Sequence, residues 1–228
     1  MKLKKIASLM LAGVMAVSML AGCSGNPDPN PGEGEGEGNA TGYSAELASN
    51  LSSAAKKDYI TFADNAADAD ALKDALGNLG SVPVAAGATV PMTVVPVDEL
   101  TGNAVSTFAG IDLVIADFTD ALEFRDNDVQ LGDLYMKADV DADEIVKDGV
   151  LYVIDGTVDA KKAVKQVAAQ VENALESLDN HGTEGVTTYT YDYTVSVSVV
   201  NKALAPFAGY TLSANFIAVT VTRVPTAA

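Results

Sequence analysis

Residues 188–200 have the sequence TYTYDYTVSVSVV, in which two kinds of side chain alternate without interruption. Tyrosine or valine stands at every odd position from 189 to 199, and threonine, serine or aspartate at every even position from 188 to 198. Because successive side chains of a β-strand point to opposite faces, this alternation predicts a long strand with one buried face. Residues 211–224 are predicted to be its antiparallel partner, with a β-bulge near 215–217, where the alternation slips.

Two segments have the spacing of amphipathic helices. Residues 159–178 carry apolar side chains at i, i+3 and i+4 intervals, and Asp159 is placed to cap the first turn. A shorter helix is predicted over residues 66–79, where three leucines share one face. The two helices would lie on the same side of the sheet.

Four further strands are predicted from runs rich in β-branched and aromatic residues: Tyr59–Phe62, Val90–Val97, Ile111–Phe118 and Val150–Ile154. Pro91 and Pro96 put the second of them at a sheet edge, because proline cannot donate a ladder hydrogen bond. Together the elements predict an α+β domain over residues 43–228, with an antiparallel sheet and two helices on one face.

The order of these elements suggests that a β-α-β-β unit is duplicated, over about residues 56–120 and 146–224. At a constant offset of 99 residues, Phe108-Ala109-Gly110 matches Phe207-Ala208-Gly209. Two such units would share a core that one helix on a small sheet could not supply alone. The alternative is a single α+β domain with similar segments.

The N-terminal segment has the charge order of an export signal. Met1-Lys2-Leu3-Lys4-Lys5 is followed by a mostly apolar run from Ile6 to Leu20. The run is shorter than the roughly 20 residues that cross a bilayer core, which disfavours a membrane-spanning helix.

The same segment ends in Leu20-Ala21-Gly22-Cys23, which resembles the lipobox of bacterial lipoprotein signal peptides. The resemblance covers residues 1–23 only. It implies cleavage before Cys23, a thioether-linked diacylglycerol on that cysteine, and a protein anchored in the cell membrane on its extracytoplasmic face. An ordinary signal peptide with an incidental cysteine is the alternative. Cys23 is the only cysteine of the chain, so its acylation would leave no thiol and no disulfide.

Residues 23–42 are predicted to form a disordered tether between the lipid and the domain. Positions 24–42 read SGNPDPNPGEGEGEGNATG, which is too poor in apolar side chains to form a core. A coil of that length spans about 25 Å.

The net charge of the chain limits the classes of partner that it is expected to bind. It is −17 for the whole chain, and loss of the three lysines within residues 1–22 would bring it to about −20. This acidity argues against nucleic acid and against docking on anionic lipid, which both favour basic patches.

Carboxylates concentrate in a connector over residues 117–144, and they make calcium binding the alternative function. The candidate ligands are Asp126, Asp128, Asp139, Asp141 and Asp143. The last three occupy positions 1, 3 and 5 of an EF-hand-like pattern, but Glu144 and Val150 replace its glycine and its bidentate glutamate. A solvated acidic connector is the other interpretation, and no further cofactor is expected.

No catalytic constellation is evident, so the chain is not expected to be an enzyme. His181 is the only histidine and is interpreted as a favourable charge at the end of the long helix. Tyr189, Tyr191 and Tyr193 form either an exposed ligand platform or part of the core. The leading interpretation is a non-catalytic binding module whose ligand (protein, glycan or small molecule) stays open. A small hydrolase or a transporter-associated solute-binding protein is less well supported.

Overall fold

The computed structural model describes residues 42–79, 89–100, 108–124, 136, 138, 140–204 and 212–228. The fold is α+β, as predicted, with a mixed sheet and helices on both of its faces. The described helices are α1 (Tyr43–Asn50), α2 (Ala66–Ala75), α3 (Ile111–Ala121) and α4 (Ala160–Glu176), with 3₁₀ turns at Leu76–Asn78 and Val97–Glu99. The described strands are β1 (Ile60–Phe62), β2 (Val95–Pro96), β3 (Val146–Asp155), β4 (His181–Glu184), β5 (Thr187–Ala203) and β6 (Ser213–Ala227).

The centre of the sheet is the antiparallel pair β5 and β6. Its register runs unbroken from Tyr189 opposite Ala227 to Ala203 opposite Ser213. The predicted pairing is confirmed, but the predicted bulge is wrong. β6 also pairs with β3 along its other edge and is covered on both faces over residues 214–221, so both sets of side chains are buried there and the polar alternation is lost.

The edges of the sheet differ from the prediction. The strand order is β1-β5-β6-β3-β2, and β4 also pairs with β5. β1 runs parallel to β5, so a wholly antiparallel sheet is wrong; side-chain alternation carries no information about strand direction. β2 is an edge strand, as its proline indicates, but it pairs with β3 through only two residues of the predicted Val90–Val97.

The two predicted helices lie on opposite faces, which corrects the prediction that both cover one face. α1 and α4 cover the face that carries Tyr193, whereas α2 and α3 cover the face that carries Phe216. The apolar run of β3 already contained this information, because Val150–Ile154 has apolar side chains at both parities. Such a run is typical of a strand that is buried on both sides.

Residues 111–121 form helix α3, so the predicted strand Ile111–Phe118 is wrong. Ile111, Val114, Ile115 and Phe118 are buried at helical spacing and pack on the sheet. The segment was interpreted as a strand because it is β-branched, but its period is 3.6 rather than 2. The corresponding part of the second unit is strand β6, so the duplicated β-α-β-β unit is not confirmed; residues 207–209 lie outside the described residues.

Candidate binding face

The central strands are longer than the helices that cover them. β5 has 17 residues and β6 has 15, which corresponds to about 56 and 50 Å at 3.3 Å per residue. α2 has 10 residues and is only about 15 Å long. One end of the sheet therefore extends beyond α2 on the face that α2 covers.

At this end, exposed side chains of β4, β5 and β6 form a surface that we call the open face. Three pairs in the register, His181 with Thr190, Asp192 with Val224 and Thr190 with Thr226, place these residues on one side of the sheet. All members of the open face are exposed: His181, Thr183, Thr188, Thr190, Asp192, Val224 and Thr226.

The open face combines hydroxyl groups with aliphatic groups. Threonine hydroxyls both donate and accept hydrogen bonds, and their methyl groups add apolar area. Val224 is 41% exposed, and Ile145, which directly precedes β3, is 46% exposed. Since β3 lies next to β6, the two aliphatic side chains border the threonines on the same side of the molecule. An exposed surface with both aliphatic and hydroxyl groups offers apolar area and polar contacts, and protein interfaces combine the two.

A tight hairpin extends the open face. Glu184 pairs with Thr187, so β4 and β5 are joined by Gly185 and Val186 alone. Gly185 has φ +62°, which glycine adopts without strain at the first position of such a loop. Val186 at the tip is fully exposed.

The tyrosine row lies on the opposite face and is mostly buried. Tyr191 and Tyr193 are each 2% exposed, and their hydroxyls donate to the carbonyl oxygens of Ala138 and Asp179. Burial raises the pKa of the Tyr193 hydroxyl, and Arg223 offsets this only in part. Tyr189 is half-buried. An exposed tyrosine platform is therefore wrong, and the core interpretation describes this row.

Arg223 connects the end of the acidic connector to the sheet. Its side chain is 1% exposed, and its guanidinium carbon lies 4.5 Å from the ring centroid of Tyr191. Nη2 donates to the carbonyl oxygens of Val140, at 2.9 Å, and Asp141. The sequence contained one signal for this role, since a charged residue stands at a position of β6 whose neighbours at i−2 and i−4 are buried valines.

Only part of the predicted calcium site is described. Asp141 and Asp143 lie in the turn before β3, where Asp141 has φ +48°; Asp126, Asp128 and Asp139 lie outside the described residues. The guanidinium of Arg223 places a positive charge against this turn, which disfavours a second cation there. Within the described ranges, no group of three or more His, Cys, Asp or Glu side chains is arranged to hold a metal ion.

A buried ionic cluster borders the open face where α2 begins. Asp68 of α2 is 1% exposed, and its Oδ1 lies 2.6 Å from Nζ of Lys147. Thr220 donates its hydroxyl hydrogen to Oδ2, and the Asn65 side chain donates to Oδ1 at 3.0 Å. These contacts pair the carboxylate on several sides and attach α2 to β3 and β6. The sequence analysis missed this cluster because its members are far apart along the chain.

The histidine prediction is corrected as well. α4 ends at Glu176, and His181 lies in β4, where it is exposed and opposite Thr190. Its Nδ1 is 2.7 Å from Oδ1 of Asn180. His181 therefore belongs to the open face and does not cap the helix.

Among the described residues, no helix combines the length and hydropathy required to cross a bilayer. The predicted lipidation site, Cys23, lies outside those residues. Comparison of the chain with models of protein families, with curated proteins and with solved structures found no match.

Proposed function

We propose that the protein is a non-catalytic lipoprotein, anchored through Cys23 on the extracytoplasmic face of the cell membrane, that binds a partner protein through the open face. The lipobox supports the anchor. The observation that supports the binding role is the position of the open face relative to the start of the domain.

The tether joins the domain well away from the open face. Ser44, two residues after Gly42, accepts a hydrogen bond from the backbone N–H of Val197 at 2.9 Å. Thr190 lies seven residues earlier in the same strand, which is about 23 Å at 3.3 Å per residue. A partner could therefore reach the open face without displacing the tether.

The composition of the open face favours a protein partner that is neutral or basic. Asp192 is an exposed carboxylate of the open face, and the protein as a whole is strongly acidic. Protein interfaces combine aliphatic contacts with hydroxyl groups, as this surface does. Sugars stack on exposed aromatic rings, but Tyr191 and Tyr193 are buried beneath the other face.

Site-specific photo-crosslinking in cells tests this proposal. A benzophenone amino acid is placed at Thr190 of the full-length protein and, as a matched control, at Gln170 on the exposed side of α4. We expect an adduct of discrete mass at position 190 and none at position 170.

A charge reversal in the same chain tests the specificity of the adduct. Asp192→Arg should abolish the adduct because it replaces a small carboxylate at the contact with a longer, positively charged side chain, whereas Asp70→Arg, at an exposed position of α2, should leave the adduct unchanged. Equal adducts at positions 190 and 170, or an adduct that survives Asp192→Arg, would reject the open face as the binding surface.

A further inference from the structure

Three lysines form a basic patch at the start of α4. Lys161, Lys162 and Lys165 are all exposed, in a chain with only 14 basic residues and 31 acidic ones. Positive charges at a helix N-terminus are disfavoured by the helix dipole, and the first turn of α4 contains no acidic residue beyond the N-cap Asp159, whose carboxylate accepts the backbone N–H of Lys162. Among the described residues, the patch has one ion pair, between Lys161 and Glu46, at 3.9 Å.

The patch lies beside the point where the tether enters the domain. Glu46 of α1 is the residue that pairs with Lys161, and its backbone N–H donates to the carbonyl oxygen of Gly42 at 3.1 Å. Gly42 is therefore one helical turn from a residue that touches the basic patch. At the other end of α1, Ser52 donates to Glu172 and Glu176, so α1 and α4 lie side by side along their length.

The tether carries three negative charges just before Gly42. Residues 32–38 have the sequence GEGEGEG, with glutamates at positions 33, 35 and 37. In an extended chain, alternate residues point to one side and are about 6.6 Å apart. Lys161 and Lys165 are four residues apart on a helix, a rise of about 6 Å, so the two spacings agree.

We infer that the Gly-Glu segment, residues 33–37, binds the basic patch of its own domain. Glu37 is five positions before Gly42, and the chain between them reaches up to about 17 Å, more than one helical turn requires. An anionic lipid surface is the competing occupant. The tether is favoured because it is covalently held near the patch, whereas the rest of the strongly acidic domain is repelled by such a surface.

This contact sets the distance between the domain and the lipid. With residues 33–37 bound, nine residues from 24 to 32 remain, and a coil of that length spans about 15–18 Å. The 18 residues from 24 to 41 would span about 21–25 Å. Because exposed ion pairs are screened by salt, the longer distance is expected at high ionic strength.

Acetylation of the lysines tests the inference on the full mature lipoprotein in nanodiscs of neutral phosphatidylcholine. Mass spectrometry measures the rate at each lysine for the wild type and for the Glu33→Gln, Glu35→Gln, Glu37→Gln variant. At low salt, we expect Lys161, Lys162 and Lys165 of the wild type to react at roughly half the rate measured in the tether variant, or more slowly still. This is the size of effect that exposed ion pairs give. The difference should disappear at high salt, and exposed Lys73 on the other side of the sheet should react equally in both proteins.

A second variant controls for the general loss of charge. Asp70→Asn, Asp74→Asn and Asp112→Asn removes three exposed carboxylates from α2 and α3 and should leave the rates of the patch lysines unchanged. Equal rates in the wild type and the tether variant would overturn the inference. So would protection that appears only in nanodiscs containing anionic lipid and persists in the tether variant, since the occupant would then be lipid.

Discussion

Asp68 shows how single residues hold the helical layer to the sheet. Its carboxylate is buried, but Lys147, Thr220 and Asn65 together supply three donors. A buried charge is tolerated only when such partners replace the water that it loses. The Asp68–Lys147 ion pair also lies between the part of this sheet face that α2 covers and the open face. It therefore fixes where the open face begins.

Asp68→Ala should destabilise the protein by about 3 kcal/mol, because it leaves the ammonium group of Lys147 without its partner in a largely buried site. Urea denaturation measures this as a lower midpoint at an unchanged m-value. Asp70→Ala, on the exposed side of the same helix, is the matched control and should change stability by less than about 0.5 kcal/mol. Equal midpoints for the two variants would contradict this role.

Gly182 allows the close approach of three segments. A Cβ atom at this position would collide with the carbonyl oxygen of Ala138 and the hydroxyl of Tyr191, whereas one at Gly77 would meet nothing within 4 Å. Gly182→Ala should therefore destabilise by about 1–3 kcal/mol through overpacking. Gly77→Ala should be neutral or stabilise by up to about 1 kcal/mol. Thermal melts measure the melting temperature of each variant against the wild type. A fall in melting temperature of similar size in both variants would refute the role given to Gly182.

Whether a helix or strand was predicted correctly depended on how clearly its own sequence pattern indicates its type. β5 was predicted because the 12-residue alternation over residues 188–199 has one interpretation. α3 was missed because the β-branched composition of a short run was given more weight than the i, i+3, i+4 and i+7 spacing of its apolar residues, which pack against Phe216 and its neighbours. The apolar run of β3 indicated that both faces of the sheet are covered, but which helix covers which face depends on chain crossings that local patterns do not specify.

Only part of the open face could be predicted from the sequence. The threonines at even positions of β5 predicted a polar side of the strand. Which part of that side is exposed to solvent depends on where α2 begins. The start of α2 is fixed by the contacts of Asp68 with β3 and β6. Those contacts join residues that are 79 and 152 positions apart, so no local pattern could indicate them.

The link between α1 and α4 should make stability depend on pH. The Glu172 carboxylate accepts the backbone N–H of Ser52 at 2.8 Å, and this hydrogen bond lowers the pKa of Glu172 below its ordinary 4.5. A lowered folded-state pKa contributes stability above the unfolded pKa, and that contribution is lost as pH falls below 4.5 through the folded value.

Glu172→Gln keeps an acceptor oxygen but does not titrate. The difference in unfolding free energy between wild type and Glu172→Gln should therefore shrink as pH is lowered from 6 to 3, in urea melts at each pH. Glu184→Gln in the β4–β5 hairpin makes the same charge change away from α1 and serves as the control. A difference that grows toward acid pH would show that the sign is wrong.

Two features of the molecule lie toward opposite ends of strand β5. The start of α1, which the proposed tether would precede, and the basic patch lie near Val197 of β5, and the open face with its hairpin lies toward the first residues of that strand. This arrangement suits a protein that is held from one side and bound from another.

Calcium provides a separate test at this scale. Because Arg223 already binds the turn at Asp141, we expect the melting temperature to be the same in millimolar calcium and in chelator. A ligand at 100 times its Kd stabilises by about 2.7 kcal/mol, which a thermal melt detects readily. A clear rise in melting temperature with calcium, lost in the Asp141→Asn, Asp143→Asn variant, would favour the calcium-dependent module instead.

The most direct test of the account is the intact mass of the native protein extracted from membranes. A chain that begins at Cys23 and carries at least a diacylglycerol on that residue is the predicted result. A chain that still begins at Met1, or one with an unmodified Cys23, would contradict the anchor and with it the proposed extracytoplasmic function.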